Sequence, residues 1–333
     1  MQMEVIPFYK AAEVMSGRHM GSCAYYGVRY IRIRDVLPYS MLKKEAIVSP
    51  AGEWNRLSDG DILIPRSGSN PSPYLYREET GPAAFASFFY RIRASSPFTP
   101  QFIYFQIRSS RFGKYWSMGL QGRNVTLSWI KEYPCLTSPG IGIQPLWLAE
   151  LSIRTQLELL SLLEDRWKNS LRIYYIEGAD RTLGDLCENI SGVCPEHKGD
   201  TPVIGPHGIC GYTQSPGSQV PMVGVHKTAP IKVIYIPKGS VGSKKLFCLR
   251  PFKGEDYRDI YRILCASELE KILTPGTTQH LSLKPLLKIP CRVPPANGSL
   301  SCMEKEIQSA KKLLALCQKR LQQLIDIAFP DEL

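Results

Sequence analysis

The feature that most constrains the fold is a segment of thirty residues, 148–177, that contains neither proline nor glycine, although both are frequent on either side of it. Its apolar residues recur at steps of three and four positions, which predicts one long helix with a single apolar stripe. A second segment of this kind covers residues 303–329. Two such helices predict two structural units that each end in a helix, with the stripes packed together. The stripe residues expected to form this helix–helix contact are Ile153, Leu157, Leu160, Trp167, Leu171, Ile307, Leu314 and Leu321.

The net charge of +11 lies outside the two helical segments. Residues 1–145 carry a balance of +7 and residues 178–300 a balance of +5, whereas residues 146–177 and 301–333 carry −1 and 0. Two basic bodies joined by neutral helices favour a polyanion, such as nucleic acid, that is bound at two places. Charge that serves only solubility is the alternative interpretation.

Length and composition bound the class of protein. With 333 residues, of which 44% are hydrophobic, the chain can form two domains with cores of their own. It has no uncharged apolar run of about 18 residues, so we expect no membrane span. The first residues lack a basic start followed by an apolar block, so we expect no secretory signal. Its ten cysteines are scattered, as is typical of reduced thiols, and we expect a cytoplasmic protein.

The two halves of the sequence repeat short patterns in the same order. Ser16-Gly17 and Ser191-Gly192 each end an apolar stretch, which opens the series. The later pairs are residues 62–68 with 234–240, 88–93 with 246–250, 104–110 with 261–267, and 127–135 with 283–291. The offset falls from 175 to 156 residues along the series. We therefore expect a two-copy architecture whose second copy has lost loop residues, chiefly between its proline turn and its short helix.

The sequence offers no convincing catalytic constellation. It contains neither a phosphate-binding P-loop pattern nor a dinucleotide-binding glycine pattern nor a nucleophile elbow. Cys194, His197, His207 and Cys210 have a spacing that could close a tetrahedral zinc site. The Gly-rich turn around His207 fits a recognition loop equally well, and the first copy has no counterpart pair, so we predict no metal site. A zinc or thiol enzyme that uses this cluster remains an alternative.

Basic residues interleaved with aromatic and polar residues are the candidate DNA contacts. Arg32 and Arg34, and likewise Arg91 and Arg93, alternate with apolar residues, so on strands each pair would point to one face. An exposed basic sheet face without a ligand is the alternative. The candidate DNA-binding residues are Arg32, Arg34, Arg66, Ser67, Arg91, Arg93, Arg123, Asn124, His207, His226, Lys227, Lys238, Lys244 and Lys245.

Several of these patterns resemble the specificity (S) subunits of type I restriction–modification systems. Residues 60–68, GDILIPRSG, are similar to a "GDIL…R.G" element of that family. Residues 202–212, after Ile190-Ser191-Gly192, are similar to the "I.G..GI.GY" stretch of its target-recognition domains. Ile289-Pro290, followed by Val293-Pro294-Pro295, resembles the family's boundary before a long helix.

The resemblance implies an α+β fold with two similar mixed α/β target-recognition domains, each followed by a long helix. The two helices would form an antiparallel coiled-coil spacer. The implied boundaries are residues 1–145 and 179–300 for the recognition domains, and residues 146–178 and 301–333 for the spacer helices.

The resemblance also implies a subunit without catalysis of its own. It would read a bipartite double-stranded DNA site and bind modification (methyltransferase) subunits through its helices, with a restriction subunit completing the complex. It would need no cofactor, because S-adenosylmethionine, Mg²⁺ and ATP would belong to the partner subunits. A helix of about 27–30 residues spans roughly 40–45 Å. That length corresponds to about 12–13 base pairs between half-site centres. A diverged scaffold or mimic that binds methyltransferase subunits without reading DNA is the alternative.

Overall fold

The computed structural model describes residues 4–19, 27–43, 47–49, 53–68, 72–122, 124–196, 199–275, 279–293 and 298–331. The chain divides into two compact units. Unit 1 comprises Met1–Leu159 with Ala310–Leu333, and unit 2 comprises Leu160–Ser309. Both boundaries fall inside long helices, so each unit combines one mixed body with a part of each helix. The four sequence-based segments follow chain order rather than compactness, and their boundaries stay a prediction.

The body of unit 1 contains short strands and four short helices. Its elements are β1 (Val5–Pro7), α1 (Phe8–Ala11), β2 (Ala12–Ser16), β3 (Val28–Ile31), β4 (Val36–Leu37), β5 (Met41–Leu42), β6 (Ile47–Ser49), β7 (Ile62–Pro65), β8 (Tyr74–Leu75), β9 (Ala83–Phe85), β10 (Phe89–Ala94), α2 (Pro100–Arg108), α3 (Ser110–Met118), β11 (Leu120–Gln121), β12 (Asn124–Val125), α4 (Leu127–Lys131) and β13 (Pro134–Leu136). Single turns of 3-10 helix lie at Ile33–Asp35, Glu53–Asn55 and Glu78–Thr80. The long helix α5 (Ile143–Tyr175) follows.

The body of unit 2 repeats this order with fewer residues. Its elements are β14 (Arg181–Thr182), β15 (Cys187–Ile190), β16 (Thr201–Gly205), β17 (Gly208–Thr213), β18 (Met222–His226), β19 (Val233–Ile236), β20 (Val241–Gly242), β21 (Leu246–Pro251), α6 (Tyr257–Ala266), β22 (Leu273–Thr274), β23 (His280–Leu281), α7 (Leu283–Leu287) and β24 (Pro290–Cys291). Turns of 3-10 helix lie at Leu183–Asp185 and Leu269–Ile272, and the second long helix, α8 (Gly298–Ala328), follows. Among the residues that the structure describes, no helix is both long and apolar enough to cross a membrane.

Both bodies are built on the same sheet topology. Unit 1 has a four-stranded antiparallel sheet in the order β2-β10-β7-β8, and unit 2 has one in the order β15-β21-β18-β19. A three-stranded sheet accompanies each, β6-β3-β9 in unit 1 and β17-β16-β20 in unit 2. In both small sheets one neighbour of the central strand runs parallel to it. The duplication predicted from the sequence is therefore present in the strand order.

The register corrects one of the sequence matches. Phe89 pairs with Pro65 at the end of β7, and Leu246 pairs with His226 at the end of β18. The counterpart of β7 is thus β18, whereas residues 62–68 had been matched with residues 234–240, which contain β19. The match was wrong because an apolar run stopped by proline describes any strand that ends at a turn. It does not say which neighbour the strand pairs with.

The two bodies differ mainly in the connection between the first two strands of the small sheet. In unit 1, residues 32–46 join β3 to β6, whereas Pro206 and His207 alone join β16 to β17. The shortening of the second copy is therefore concentrated before β18. The expected location, between the proline turn and the short helix, was wrong because it relied on the same mismatched pair of strands.

The two long helices begin earlier than the sequence patterns predicted. The structure starts α5 at Ile143 and α8 at Gly298, each five residues before the expected start. Pro145 lies within the first turn of α5, where a missing N–H costs no helical hydrogen bond. The stripe residues are buried apart from Leu157, which is half-buried.

An ion pair connects the start of each long helix to the body before it, and its glutamate is buried in unit 1 and partly exposed in unit 2. In unit 1, the carboxylate of Glu150 on α5 accepts hydrogen bonds from Arg108 and from the hydroxyl of Tyr104, the latter at 2.7 Å. Arg154 Nη2 reaches the same carboxylate at 3.1 Å. Burial raises the pKa of Tyr104 far above its usual value, so its hydroxyl stays protonated and donates a hydrogen bond to Glu150 at physiological pH.

Unit 2 has a similar anchor at the start of α8. Arg262 on α6 lies 3.2 Å from Glu304 and 3.0 Å from the hydroxyl of Ser301. The hydroxyl of Tyr175, at the end of α5, donates to Asp259 at 2.8 Å. Burial raises the pKa of Tyr175 to about 12. The short helix of the body thus contacts the beginning of one long helix and the end of the other.

Replacing Glu150 with alanine tests the anchor of unit 1. The change removes the carboxylate partner of Arg108 and Arg154, whose side chains are mostly buried. Because two charges are then left without a partner, we expect the free energy of unfolding to fall by about 3–5 kcal/mol. Urea denaturation followed by circular dichroism measures this loss. Glu158→Ala, on the exposed face of the same helix, is the control and should change stability by less than about 0.5 kcal/mol. Equal effects of the two substitutions would contradict the anchor.

Candidate nucleic-acid interface

In unit 1, a cation lies where the central strand β7 leaves the sheet. The four residues of β7 are buried, and Pro65 ends the strand, so Arg66 is the first residue outside the core. Its guanidinium lies 5.2 Å from the ring of Tyr90, and its Nη1 donates to the carbonyl of Ser87 at 3.4 Å. An arginine stacked on an aromatic ring keeps its charge while its orientation is restricted.

Unit 2 places a cation at the equivalent position. Lys227 follows β18, its Nζ lies 5.0 Å from the ring of Phe247, and it donates to the carbonyl of Lys244 at 2.7 Å. Its backbone N–H donates to the carbonyl of Lys245, as the N–H of Arg66 donates to that of Phe88. The same backbone and side-chain contacts therefore hold both cations, although the two residues differ in type.

A β-hairpin lies beside each cation. The hairpin β11–β12 contacts unit 1 through a bridge between Ser67 and Asn124, and β22–β23 contacts unit 2 through a bridge between Thr228 and His280. The side chains of Asn124 and His280 are exposed. We call these groups the strand-end clusters, which consist of Arg66, Ser67 and Asn124 in unit 1 and of Lys227, Thr228 and His280 in unit 2.

The strand-end cluster of unit 2 is extended by further basic residues. Lys244 and Lys245 are exposed. A cavity of about 330 Å³ is lined by Lys227 and Lys244 together with residues 189–192 and Leu246. The ring of His226 lies 3.2 Å from the carbonyl of Pro230 and 3.3 Å from the hydroxyl of Thr228. Two ammonium groups at one cavity are suited to an anionic group such as a phosphate.

The structure brings together seven of the predicted DNA contacts at these two places. They are Arg66, Ser67 and Asn124 in unit 1, and His226, Lys227, Lys244 and Lys245 in unit 2. Arg123 lies outside the described residues, as do His197 of the zinc pattern and Pro294 and Pro295 of the boundary pattern.

Arg32 and Arg34 do not share the face of a strand, which corrects the prediction. Strand β3 ends at Ile31, and Ile33–Asp35 forms a turn of 3-10 helix. Arg32 is half-buried and pairs with Asp35, with 2.8 Å between Nε and Oδ2, whereas Arg34 is exposed. The alternation was misleading because the capping carboxylate of Asp35 favours a turn over a strand.

Arg91 and Arg93 do lie on one strand, β10, but both are engaged by acidic residues of their own sheet. Arg91 is only 7% exposed, and its Nη2 lies 3.5 Å from Glu13. Arg93 makes two bonds to the fully buried Asp61, at 2.7 and 2.8 Å. These contacts assign both arginines a structural role. They also explain why the sequence has Gly60-Asp61 before β7. Gly60 adopts a φ of +83°, which favours glycine, and Asp61 supplies the carboxylate that Arg93 contacts.

His207 and Lys238 lie apart from the cluster of Lys227. His207 is at the tip of the hairpin β16–β17, where its Nδ1 lies 3.1 Å from the Nζ of Lys232. The carbonyl of Lys232 accepts from the N–H of His226, which connects this hairpin with the end of β18. Lys238 is exposed in the turn after β19.

The zinc pattern receives no support from the described part of the chain. Cys194 and Cys210 are exposed, and the Sγ of Cys210 lies 3.4 Å from the carbonyl of Val203. No group of three or more potential ligands that could hold a metal occurs among the described residues. The ammonium of Lys232 beside His207 also disfavours a second cation at that ring.

Sequence reasoning missed three surface groups near these clusters. Lys232 is one of them. The second is a stack in which Arg18 Cζ lies 3.8 Å from the ring of the exposed Trp54, whose Nε1 donates to Ser16. Ser16 pairs with Tyr90, so the stack lies along the sheet from Arg66. The third is the exposed ring of Phe88. The stack of Arg18 on Trp54 is connected with Arg66 only through the strand register, whereas Phe88 accepts the backbone hydrogen bond of Arg66.

No protein-family model matches the chain, and no curated protein matches it significantly. Among solved structures, an S subunit of a type I restriction–modification system from M. genitalium aligns at a TM-score of 0.48 and 13% identity, covering 100% of this chain and 97% of that one. The HsdS subunit from Thermoanaerobacter tengcongensis aligns at a TM-score of 0.36 and 15% identity, covering 100% and 95%.

A third solved chain comes from a structure described as the basis of complex assembly and conformational transition of the type I R-M system. It aligns at a TM-score of 0.43 and 16% identity, covering 96% of this chain and 98% of that one. All three carry names from the type I systems that the sequence patterns resemble. At these TM-scores and identities the matches add no argument about function, which rests on the residues of this chain.

Substituting Asp61 with asparagine tests the structural role of Arg93. Because Asp61 is fully buried and accepts two bonds from Arg93, we expect a loss of about 3 kcal/mol or more in the free energy of unfolding. The matched control is Asp59→Asn, which removes an exposed pair with Arg77 and should cost less than about 1 kcal/mol. A neutral Asp61→Asn substitution would return Arg93 to the candidate DNA contacts.

Proposed function

We propose that this chain is the DNA-recognition subunit of a type I restriction–modification complex. Each unit reads one half of a bipartite DNA site, and the chain itself catalyses no reaction. The observation that carries the proposal is the duplication of the strand-end cluster. Arg66 and Lys227 occupy equivalent positions, and each lies over an aromatic ring. Each also donates to an equivalent backbone carbonyl, that of Ser87 in unit 1 and that of Lys244 in unit 2.

The chemistry of the two clusters suits two different half-sites. The guanidinium of Arg66 offers a planar pair of donors that matches guanine, and the amide of Asn124 can bond adenine in the same bidentate way. Lys227 and Lys244 present point charges that suit phosphates. The equivalent of Asn124 in unit 2 is His280, a ring with one donor and one acceptor. Two units with the same scaffold and different contact residues would therefore prefer different sequences.

The hairpin β16–β17 is a second reading element in unit 2. Its strand β17 lies at the edge of the small sheet, with Ile209 61% exposed and Tyr212 half-exposed. His207 forms the tip of this hairpin beside Lys232. A two-stranded ribbon fits the major groove of B-form DNA, and apolar side chains on it can contact the methyl group of thymine. We propose that β16–β17 enters the groove of the second half-site.

Exposed apolar residues on the long helices support a protein partner. On the unit 1 part of α5 they are Leu148, Leu151 and Leu159, which recur at helical spacing on the face opposite the buried stripe. On the unit 1 part of α8 they include Leu313 and Leu316. Apolar rows of this kind in contact with water are typical of docking surfaces. We propose that methyltransferase subunits bind there, in a complex completed by a restriction subunit.

The helices also suit the role of a spacer. With 33 and 31 residues, α5 and α8 extend about 50 and 46 Å. In unit 2, Leu163 of α5 and Ile307 of α8 line one small cavity, which supports packing of the two helices. We propose that they form an antiparallel coiled coil that sets the distance between the two readers. Rigidly linked readers gain affinity only when that distance matches the DNA.

Substitutions in the strand-end clusters test DNA reading. The target is first identified by methylome sequencing with and without the gene, and binding of the assembled complex is then measured by fluorescence anisotropy at several salt concentrations. Arg66→Ala should weaken specific binding by about 1–3 kcal/mol and relax sequence preference in one half-site. Lys227→Ala should weaken binding to all sequences and lower the salt slope by about 1.

The exposed cations Lys10 and Lys284 provide matched controls, since Lys10→Ala and Lys284→Ala remove the same type of charge elsewhere in each unit. A complex that forms with methyltransferase subunits but shows no salt-dependent DNA binding would instead support the scaffold or mimic. In the same assay, one base pair inserted into the unread gap should abolish recognition. Unchanged binding to that DNA would contradict the spacer.

Charged residues on the exposed apolar row test docking. Leu316, which is 65% exposed, can be replaced by aspartate without burying a charge. We expect Leu316→Asp to lower copurification with methyltransferase subunits at least tenfold, because a desolvated carboxylate in the contact costs more than about 1.4 kcal/mol. The melting temperature of the free chain should stay unchanged. Ser161→Asp, at an exposed position of α5, is the control and should copurify normally.

A further inference from the structure

A large cavity lies in unit 2 and is not part of the strand-end cluster. It has a volume of about 1100 Å³. Its floor is the face of the four-stranded sheet that carries Met222 and Cys248, which are 3% and 1% exposed. Its walls are residues 216–221 on one side and Phe252 with Tyr257 on the other. A cavity of this size with a mostly apolar lining has the dimensions of a small-molecule site.

Comparison with unit 1 shows which side chains are missing from this place. The parallel pairing of Ile31 with Phe85 in unit 1 corresponds to that of Ile204 with Gly242 in unit 2. Phe85 is fully buried, and in unit 2 the equivalent position carries no side chain. The core cluster of unit 1 includes four further aromatic residues, whereas that of unit 2 contains Ile, Met, Leu and Cys. Unit 2 has thus lost an aromatic ring at the position that lines its cavity.

The charged residues of the sheet face have also been replaced. Arg91, which pairs with Leu63, corresponds in register to Cys248, which pairs with Gly224. Asp61, one residue before β7, corresponds to Met222. The floor that carries a buried guanidinium and a buried carboxylate in unit 1 therefore carries a thiol and a thioether in unit 2.

The new lining is suited to an aromatic ligand. Sulfur atoms of methionine and cysteine make favourable contacts with aromatic rings, and the thioether adapts to irregular shapes. Tyr257 and Phe252 supply aromatic walls, and the ion pair of Glu188 with Arg250, 2.9 Å from Oε1 to Nε, lies at the half-exposed mouth. A ligand can thus place a ring on the sulfur-lined floor while its polar substituents meet Glu188 or Arg250.

We infer that this cavity is a binding site for a small planar aromatic molecule. The ring lies on the sheet face, between the walls at Val220 and Phe252. The inference does not depend on DNA reading, because neither strand-end cluster supplies a residue of the floor.

The inference is tested on the full-length chain with indole as the probe. Saturation-transfer NMR and thermal shift should show saturable binding with a dissociation constant on the order of 1 mM or lower. Cyclohexanol, which has a ring but no aromatic face, should bind at least about tenfold more weakly. Equal binding of the two probes, or no saturable binding of indole, would overturn the inference.

Two substitutions assign the binding to the cavity. Val220→Trp places a ring at the partly exposed wall, and Cys248→Phe fills the floor, and each should weaken indole binding at least about tenfold. A Cβ at Gly242 would lie only 2.1 Å from the Cys248 thiol, so the floor is tightly built and Cys248→Phe can impair folding. Val220→Trp keeps the test decisive in that case. Ile209→Trp, an exposed position outside the lining, is the control, and indole binding that persists in Val220→Trp overturns the inference.

Discussion

The long helices depend on one kind of contact, an arginine–glutamate pair at the junction of body and helix, whose glutamate is buried in unit 1 and partly exposed in unit 2. Arg108 with Glu150 in unit 1, and Arg262 with Glu304 in unit 2, connect the short helix of each body with the first turns of the helix that follows. Charges taken out of water tolerate little displacement, because any loss of the partner leaves an uncompensated ion. Such a pair therefore fixes the direction of the helix relative to the body more than it adds to the stability of the fold. The proposed role of the helices as a spacer requires a fixed direction in which each helix leaves its body.

The long elements and the duplication could be predicted from the sequence, but the pairing of short strands could not. Helical periodicity over thirty residues is a strong signal. Helix α5 begins five residues before the predicted start because Pro145 is tolerated in the first turn of a helix. Strands of two to six residues carry weaker signals. The pattern around Pro65 recurs around Pro237 for the local reason that both strands end there. Hydrogen bonds between distant residues, such as the register of Phe89 with Pro65, decide the true correspondence.

The residues of the candidate site were also predictable only in part. Residue type and turn position identified Arg66 and Lys227, because a basic residue after a buried strand must leave the core. Alternation failed for Arg91 and Arg93, whose acidic partners Glu13 and Asp61 lie far away in the sequence. A pattern along one strand contains no information about the carboxylates of its neighbours. The symmetry between Arg66 and Lys227 became visible only through the register, and so did the aromatic rings beneath them.

The division of the chain through both long helices has a consequence for the order of folding during synthesis. Unit 2 is one continuous stretch, Leu160–Ser309, and can form as soon as it has left the ribosome. Unit 1 begins first in sequence yet includes Ala310–Leu333, and Phe329 packs on Phe102 with ring centroids 5.5 Å apart. Its helix α3 is held by Asp326, which accepts from the N–H of Ser110 at 2.8 Å. The body synthesised first is therefore completed last, and a nascent chain interrupted before residue 310 would leave unit 1 with an uncovered apolar surface.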